Sequence, residues 1–338
     1  MTRQASPAPD QPPARRRGLR RRITDGITAV VVIGALKLIL HLPERPVWAL
    51  ADFAGGIEYR VSGSRRDRAR LNLRRVVEWM EANGRGPEKY RAAATNPKAL
   101  EAIVRSAFTN HARYYVEMAQ APKFTAARVN ERLEVENAEE TAAWMKERRA
   151  LLLIGMHFGA IELPGFFAVH RLGRIVAPME TVANARVQRY IFSTRATIGV
   201  RIVTLEEAGV ELLGALRRNE PVGLIADRDI TRGGIEVELF GARTRIPAGP
   251  VLLAAETGAP MYVSGVRRVG PGRYRGSLRL LQPPEGASRR ERTRAMAQEE
   301  ARLFEHFISE APEQWLAVLH PIWPDLEQPP MRGIGDEA

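Results

Sequence analysis

The feature that most constrains the fold is a series of short apolar segments that begins at residue 150 and alternates with helix-like stretches. Seven segments of strand length follow one another: Ala150–Ile154, Arg174–Ala177, Arg201–Leu205, Val222–Ala226, Val237–Phe240, Met261–Val266 and Tyr274–Leu281. Stretches of helix length lie between several of them: Ala160–His170, Ala183–Ile198, Glu206–Arg218 and Ala248–Thr257. Strands alternating with helices of about 10–15 residues are typical of α/β domains. The sequence therefore predicts an α/β fold with a central, mostly parallel sheet flanked by helices.

The N-terminal part of the chain is predicted to be helical and carries the net positive charge. Residues 64–120 have a helical pattern, with a strongly amphipathic stretch from Leu100 to Ala119. The formal net charge is +12, and residues 1–22 and 60–75 each hold seven arginines and one aspartate, so that the rest of the chain is balanced. A nucleic-acid-binding domain more usually spreads its charge over a folded face. We therefore predict no nucleic-acid partner, and an anionic surface as the partner of the N-terminal region.

Two apolar segments, Ile27–Leu42 and Val47–Ile57, lie between the two basic patches. Basic residues before an apolar run are typical of signal peptides, but the sequence that follows, Leu-Pro-Glu-Arg-Pro, is no cleavage site. The first segment is also shorter than the roughly 20 apolar residues of a transmembrane helix and contains Lys37. Basic flanks favour the cytoplasmic side. We predict a helical hairpin on the cytoplasmic face of the plasma membrane, held by anionic lipids, with packing on the protein body as the alternative.

The common motifs of nucleotide binding and hydrolysis are absent from the chain. It contains no G-x-x-x-x-G-K-[ST], no G-x-G-x-x-G after a strand, no H-E-x-x-H and no G-x-S-x-G. It has no cysteine, and its six histidines are scattered. These observations exclude a cysteine nucleophile and argue against a zinc peptidase or a typical serine hydrolase, and we predict no metal site.

The most informative polar pair is His157 and Glu162, directly after the apolar segment Ala150–Ile154. Open α/β sheets place their active sites where strands end in loops. A histidine there can act as a general base, and a carboxylate can fix its tautomer. We expect His157 in the loop and Glu162 in the first turn of the next helix, because residues five apart do not share a face of one helix. A buried structural histidine is the alternative.

An ordered set of segments resembles a known family. His157-x4-Glu162 resembles the HX4(D/E) motif of membrane glycerolipid and glycolipid acyltransferases, in the branch of bacterial lipid A late acyltransferases and actinobacterial phosphatidylinositol mannoside acyltransferases. Further matches are Ala112-Arg-Tyr-Tyr-Val-Glu117, Glu180, Arg195-Ala-Thr-Ile-Gly199, Asp227-Arg228-Asp229, Phe240-Gly241, Pro247-Ala-Gly-Pro250 and Pro312-Glu-Gln-Trp315. The Asp-Arg-Asp and Pro-Ala-Gly-Pro forms are closer to the mannoside acyltransferases, although that subgroup has Asp where this chain has Glu162.

The resemblance implies a glycerolipid-acyltransferase-like fold. It also implies transfer of a fatty acyl group to a hydroxyl of a membrane phospholipid or glycolipid, from a thioester donor that is either acyl-CoA or an acylated acyl carrier protein. A phosphatidylinositol mannoside is the expected acceptor, and a lipid A precursor is the alternative. No cofactor and no acyl-enzyme are expected. The predicted division is a disordered basic tail (1–22), membrane-associating helices (23–63), an acyltransferase domain (64–325) and a C-terminal tail (326–338).

The same resemblance gives the remaining candidate residues their expected roles. His157 is the expected general base and Glu162 its orienting acid. Arg195 suits a phosphate of donor or acceptor, because a planar guanidinium matches phosphate; an ion pair is the alternative. Hydroxyls of the acceptor are expected to be bound by Asp227 and Asp229 and, less strongly, by Glu180. The alternative is that Arg228 forms structural ion pairs with the two aspartates.

Three further residues of the matched segments and two tryptophans complete the set. Arg113, Tyr114 and Glu117 are expected to support the site, and Trp315 and Trp323 to anchor the core. A non-catalytic lipid-binding module with the same fold remains a second class of function, although the presence of both His157 and Glu162 argues against it.

Overall fold

The computed structural model of the chain describes residues 19–147, 150–230, 233–282 and 288–327, so most of the two predicted tails, 1–22 and 326–338, lies outside it. The helices longer than three residues are α1 (Leu19–His41), α2 (Glu44–Val61), α3 (Gly63–Ala82), α4 (Glu88–Arg91), α5 (Pro97–Gln120), α6 (Ala126–Arg132), α7 (Ala138–Glu147), α8 (Leu163–Leu172), α9 (Ala185–Ala196), α10 (Ala208–Arg217), α11 (Gly249–Thr257) and α12 (Arg289–Glu310). The strands are β1 (Leu133–Val135), β2 (Leu152–Gly155), β3 (Ile175–Met179), β4 (Val200–Thr204), β5 (Val222–Ile225), β6 (Ile235–Leu239), β7 (Ala242–Ile246), β8 (Met261–Gly270) and β9 (Arg273–Leu281).

A seven-stranded sheet forms the centre of the fold, in the order β1-β9-β8-β2-β5-β3-β4. The five strands from β8 to β4 run parallel, β9 is antiparallel to β8, and β1 runs parallel to β9. Strand β2 therefore has a parallel neighbour on each side, which explains why all four of its residues are buried and apolar or glycine. The predicted α/β fold with a mostly parallel, helix-flanked sheet is confirmed.

One predicted strand lies outside this sheet. Val237–Phe240 belongs to β6, which forms a separate antiparallel hairpin with β7. In β6 only Val237 and Leu239 are buried, alternating with exposed glutamates. This alternation of buried and exposed residues is typical of a hairpin that packs one face on the core. Strands at the centre of the large sheet are buried on both faces, which the exposed glutamates of β6 would not allow.

Each face of the large sheet carries its own apolar core. Leu152, Ile154 and Val222 point into a core shared with α3, α5 and α10 to α12. Leu153 and Ile175 belong to a second core, which α6 and α8 cover. Successive side chains of a strand point to opposite faces, and this alternation accounts for the division. The functional cavity described below lies on the second face.

The first two helices pack on the body of the protein with one side and expose apolar residues on the other. Helix α2 buries Val47, Trp48 and Ala51 against α5, and a Cβ at Gly55 would lie 2.7 Å from the backbone oxygen of Phe108. The exposed apolar residues of the two helices are Ile27, Val30, Val31, Leu38, Leu50, Phe53, Ile57 and Val61. Among the described residues, no helix combines the length and apolarity that crossing a bilayer requires.

The second basic patch, residues 60–75, lies mostly on α3. Three of its arginines form ion pairs with carboxylates of the fold: Arg65 with Glu58, Arg70 with Glu101 and Arg75 with Asp325. The guanidinium of Arg75 also lies over the ring of Trp323. Part of the charge that the sequence assigns to an anionic surface is therefore neutralised within the protein.

Candidate active site

His157 lies in the loop that joins the carboxyl end of β2 to α8. The loop reverses at Gly159, whose φ of 55° is in the left-handed region, and a Cβ there would lie 1.9 Å from the backbone oxygen of Val266. Only glycine fits this position, because both the conformation and the close approach exclude a side chain. The turn leaves the His157 side chain one-third exposed, at 33%. The imidazole is therefore accessible to a substrate at the carboxyl edge of the sheet.

The His157 ring is oriented by Asp227. Its Nδ1 lies 2.7 Å from Asp227 Oδ1, and its backbone nitrogen donates to Asp227 Oδ2 at 3.0 Å. Asp227 follows β5, which pairs in parallel with β2, so the two residues leave the same edge of the sheet on neighbouring strands. Because an ionised carboxylate can only accept, Nδ1 carries the ring proton and Nε2 keeps its lone pair. This is the arrangement that a general base requires.

The Asp227 carboxyl is completely buried, yet it is held in its ionised form. Burial raises the pKa of Asp227, but the His157 imidazole and the hydrogen bonds from His157 and Trp315 outweigh it and keep the pKa below its usual range. Trp315 Nε1 donates to Oδ2 at 2.8 Å. Trp315 has the core position expected of it, and in addition it completes the hydrogen bonding of Asp227.

Glu162 contacts a different partner from the one expected. The sequence pairs it with His157, but the structure pairs the Glu162 carboxylate with Arg195, through Nη2 and, at 3.3 Å, through Nε. The reason is that Asp227 of the adjacent strand already occupies the Nδ1 side of the imidazole. Glu162 immediately precedes α8 and faces the buried Arg195 at the end of α9. Arg195 thus forms an ion pair, but a buried one and not the surface ion pair that is the alternative to phosphate binding.

Glu162 and Arg195 form a compact group with Tyr114 of α5. The side chain of Tyr114 is half-buried and lines the cavity, and burial followed by the negative charge of Glu162 raises the pKa of its hydroxyl. Within the segment expected to support the site, Tyr114 therefore lies beside Glu162. Arg113 instead forms an ion pair with Asp52 of α2, at 2.6 Å.

The other predicted residues take three different positions. Exposed Glu180, after β3, and half-buried Arg228, after β5, line the same cavity as His157. Asp229 points elsewhere and accepts a hydrogen bond from the backbone of Gly234 at 2.8 Å. Arg228 has no ion-pair contact with either aspartate in the described part of the chain. The structure therefore does not show the alternative in which Arg228 forms ion pairs with Asp227 and Asp229.

The cavity beside His157 has a volume of about 400 Å³, within the range of small-molecule sites. It runs from the carboxyl edge of the sheet along the face covered by α8 and α9. The lining residues alternate along β2 and β4, as expected for one face of a sheet, whereas the carboxyl ends of β3 and β5 contribute consecutive residues. Its apolar lining includes Leu153, Ile161, Phe166, Ile175, Ala177, Met179, Ile191, Val200, Ile202, Leu224, Ile225 and Ile230. The cavity is polar at the His157 end and apolar along its length.

The β2–α8 loop, which carries His157, is held from behind by residues near the C-terminal end of the described chain. The backbone of Gly159 donates to Gln314 O at 3.0 Å, and Leu316 donates to the backbone oxygen of His157 at 2.6 Å. From the sequence, Pro312-Glu-Gln-Trp315 is recognisable only as a late motif of the family. Its order in the sequence marked it as relevant, but nothing in its composition indicates that it packs against residue 157.

A buried ion pair completes this support. The guanidinium of Arg268 binds both carboxylate oxygens of Glu117 at 2.7 Å and donates to the backbone oxygen of Gly159 at 2.7 Å. Glu117 thus supports the loop, as its segment was expected to do. Arg268 is buried in β8, and no pattern in the sequence distinguishes it from the many exposed arginines.

No group of three or more metal-ligating side chains is present among the described residues. The titratable groups that the structure brings together at the cavity are His157, Asp227 and the group around Glu162. A polar, oriented imidazole at the mouth of a long apolar cavity suits proton transfer to or from a substrate with a long apolar chain.

Comparison with known proteins agrees with this geometry. The family model described as bacterial lipid A biosynthesis acyltransferase matches residues 16–324. The chain is 30% identical over 230 residues to the phosphatidylinositol mannoside acyltransferase of Mycolicibacterium smegmatis, an alignment that covers 67% of this chain and 70% of that protein. It is 28% identical over 188 residues to the phosphatidylinositol mannoside acyltransferase of Mycobacterium tuberculosis, covering 52% and 60%. Since the family model spans most of its length, the chain belongs to the bacterial lipid A biosynthesis acyltransferase family and is an acyltransferase, as the ordered motifs of its sequence predict.

Proposed function

We propose that this protein transfers a fatty acyl group from a thioester to a hydroxyl of a membrane glycolipid of the phosphatidylinositol mannoside type, with His157 as general base. The observation that carries the proposal is the hydrogen bond of 2.7 Å between His157 Nδ1 and the buried carboxylate of Asp227. The acceptor follows from the mannoside acyltransferases that the chain resembles over most of its length.

In the proposed reaction, His157 Nε2 takes the proton of the acceptor hydroxyl as that oxygen attacks the thioester carbonyl. Asp227 stabilises the imidazolium that forms, because its carboxylate is fixed 2.7 Å from Nδ1. The tetrahedral intermediate collapses with cleavage of the carbon–sulfur bond, and the imidazolium returns its proton to the thiolate. The products are an ester and a free thiol. The donor thioester, from CoA or acyl carrier protein, is the co-substrate, and we propose no other cofactor.

The apolar cavity is the proposed site of the acyl chain. It opens at His157 and continues along the sheet between apolar side chains, so a thioester carbonyl at the His157 end leaves the chain inside. Burial of a chain contributes about 0.8 kcal/mol per methylene. Glu180 and Arg228, at the polar end, are proposed to contact the acceptor, while Asp229 fixes the loop through Gly234.

Glu162 is proposed to act through Arg195 and not through His157. The ion pair joins the start of α8 to the end of α9 and closes one wall of the cavity. Because Arg195 is buried and its charge is balanced by Glu162, we propose that this pair shapes the site for the thioester.

Peripheral attachment to the cytoplasmic face of the plasma membrane is the proposed location of the enzyme. The support is the row of exposed apolar side chains on α1 and α2, together with the excess of arginines in the N-terminal region. Apolar contact and attraction to anionic lipids add to each other at such a surface.

The test of the proposed function is His157→Ala. We expect loss of acyl transfer from a labelled acyl-CoA to a membrane lipid extract, followed by mass spectrometry of the lipids. The variant should remain folded but melt at a lower temperature, because the buried Asp227 carboxylate loses the Nδ1 donor. His170→Ala, at the exposed end of α8, is the matched control and should transfer normally. Retained turnover in His157→Ala would refute the general base. Acylation of lipid A precursors in place of phosphatidylinositol mannosides would show that the proposed acceptor is wrong. If the wild type bound lipids without acylating them, the protein would be a non-catalytic lipid-binding module.

A further inference from the structure

The sheet forms the floor of the apolar cavity, and the residues that line this floor lie in three rows across the strands. The rows follow from the pairing of β2 with β5 and of β3 with β4, and the single pair between β3 and β5 places Ala177 next to Gly223. From the end at His157 inward, the rows are Gly155 and Ile225; Leu153, Gly223, Ala177 and Ile202; and Ile175 and Val200. Depth in the cavity therefore corresponds to position along the strands.

The middle row contains two very small residues side by side, Gly223 and Ala177. Gly223 has no positive φ, so its backbone conformation does not require glycine. A Cβ at Gly223 would lie 3.0 Å from Ile175 Cδ1 and 4.0 Å from Ala177 Cβ. Since Ile175 and Ala177 both line the cavity, a side chain at position 223 would occupy cavity space. A glycine inside a strand often marks the close approach of a ligand, and this one keeps the cavity open at the middle row.

The last row closes the cavity. Ile175 and Val200 are both buried, and their side chains are the innermost of the floor. Beyond this row, helix α8 lies directly on the start of β4, because a Cβ at Gly199 would lie 2.7 Å from Val169 Cγ1. An apolar chain that enters at His157 therefore reaches its limit at Ile175 and Val200.

The depth of each row can be expressed in carbon atoms. Gly223 precedes Asp227 by four residues, which is about 13 Å at the rise of a parallel strand, roughly 3.3 Å per residue. An extended acyl chain advances about 1.3 Å per carbon, because its bonds of about 1.5 Å follow a zigzag. With the thioester carbonyl at His157, whose ring contacts Asp227, about the tenth carbon lies over Gly223. The last row lies two residues deeper, or about five carbons further.

We propose that Gly223 and Ala177 set the length of acyl chain that the enzyme prefers, by leaving space on the cavity floor for the carbons beyond about the tenth. The inference rests on the proposed function, because it treats the occupant of the cavity as the acyl chain of the donor. A larger side chain at either position shortens the cavity without touching His157 or its hydrogen bonds. It should therefore change the preference for chain length and leave the chemical step intact.

The test measures kcat/KM of the full-length protein with a series of acyl-CoA donors from octanoyl-CoA to palmitoyl-CoA. We expect Gly223→Val to lower the ratio of palmitoyl to octanoyl transfer at least about tenfold, since one methylene in an apolar pocket already discriminates by that factor. Gly223→Ala should act in the same direction but less. Adding Ile175→Val, which removes the Cδ1 that the new Cβ would contact, should restore part of the long-chain activity. Gly209→Val, at an exposed position of α10 with nothing within 4 Å of the new Cβ, is the control and should leave the ratio unchanged.

Two results would overturn the inference. An unchanged ratio in Gly223→Val would mean that the chain does not pass over this position. An equal loss with every donor would mean that the substitution damages the site as a whole and does not select by length. Calorimetric binding of the same acyl-CoA series needs no turnover and separates the two proposals. If the wild type binds the donors without transferring them and Gly223→Val weakens only the long ones, the proposed function is wrong and this inference stands.

Discussion

Asp227 shows how much one buried carboxylate can organise. One of its oxygens holds the His157 ring, and the other accepts from the His157 backbone and from Trp315. The carboxylate thus fixes the orientation of the imidazole and the position of its main chain together. A general base is more efficient when it is already held in its reactive orientation, because no free energy is then needed to orient it in each turnover.

Substituting Asp227→Asn should lower kcat by about 10²–10⁴-fold, because an amide can donate to Nδ1 and so stabilise the wrong tautomer. The comparison is with Asp229→Asn, which changes the neighbouring aspartate but leaves the Nδ1 contact of His157 in place. Initial rates with saturating acyl donor measure the effect. Equal rates for Asp227→Asn and the wild type would show that Asp227 does not orient the base.

Trp315→Phe removes one donor from the buried Asp227 and should lower the free energy of unfolding at pH 7 by about 1–3 kcal/mol. The folded pKa of Asp227 is depressed, so the stability it contributes is present above its unfolded pKa of about 3.9 and is lost as the pH falls through the lower folded value. The loss in Trp315→Phe should therefore shrink in acid. Denaturant unfolding from pH 7 to pH 3 measures it.

Trp323→Phe is the control for that experiment. Trp323 is equally buried, contacts Trp315 edge to face, and donates to the uncharged backbone oxygen of Leu239 at 3.1 Å. Its substitution should lower stability by a similar amount at every pH in this range. A pH-independent loss in both variants would contradict the role assigned to Trp315.

The candidate residues could be found in the sequence, but their pairing could not. His157 and Glu162 are close in the chain, and proximity in sequence suggests that they touch. Asp227 reaches His157 only because β5 is the neighbour of β2 in the sheet, although β3 and β4 lie between them in the chain. Strand order is a property of long-range packing, which local patterns do not encode. The same holds for Arg268, whose role depends on a contact with Glu117, 151 residues away.

Among the elements, the turn of the β2–α8 loop is the most tightly constrained. Gly159→Ala should destabilise the protein strongly, because the added Cβ would lie 1.9 Å from Val266 O in a backbone conformation that alanine avoids. Gly209→Ala is the matched control: it lies in α10 with nothing within 4 Å of the new Cβ, and should stabilise by about 0.5–1 kcal/mol. Melting temperatures distinguish the two, and a stable, active Gly159→Ala would show that the loop adapts.

The apolar face of α2 gives a second prediction at this scale. Phe53→Glu should reduce co-sedimentation with vesicles that contain anionic lipid, because it places a negative charge in the row of exposed apolar residues. Val210→Glu introduces the same charge at a residue that is 80% exposed on α10, and should leave co-sedimentation unchanged. Equal binding by both variants would exclude α2 from membrane contact.

Most elements follow from periodicity, and the exceptions have a physical reason. The predicted strands and helices after residue 150 lie within a few residues of the observed ones. Strand β7 was not predicted because Arg243 and Arg245 interrupt its apolar pattern. The two arginines are exposed, and Thr244 and Ile246, which alternate with them, are buried. The strand therefore has the period of two that a half-buried strand requires, but the segment is too short and too charged to be predicted from its apolar residues.

The whole molecule is asymmetric about its sheet. One face is a closed core under α10, α11 and α12, and the other contains the cavity under α8 and α9. Helix α1 packs on the outer side of that cavity, where Ala29 lies against Val187 and Ile191. The exposed apolar side chains of α1 thus belong to the same half of the molecule as the apolar cavity, whereas α2 packs on α5. A sheet with two equally filled faces would have no space for a long-chain substrate.

The contacts between the β2–α8 loop and residues 312–316 have a consequence for the synthesis of the protein. His157 is held by Leu316, and Asp227 by Trp315, which lies 88 positions further along the chain. A ribosome translates from the N-terminus, and the sheet can begin to form while the last helices are still being made. The imidazole has its final surroundings only after residues 312–316 have left the exit tunnel. The surroundings of His157 and Asp227 are therefore completed late in synthesis, after the strands that carry both residues.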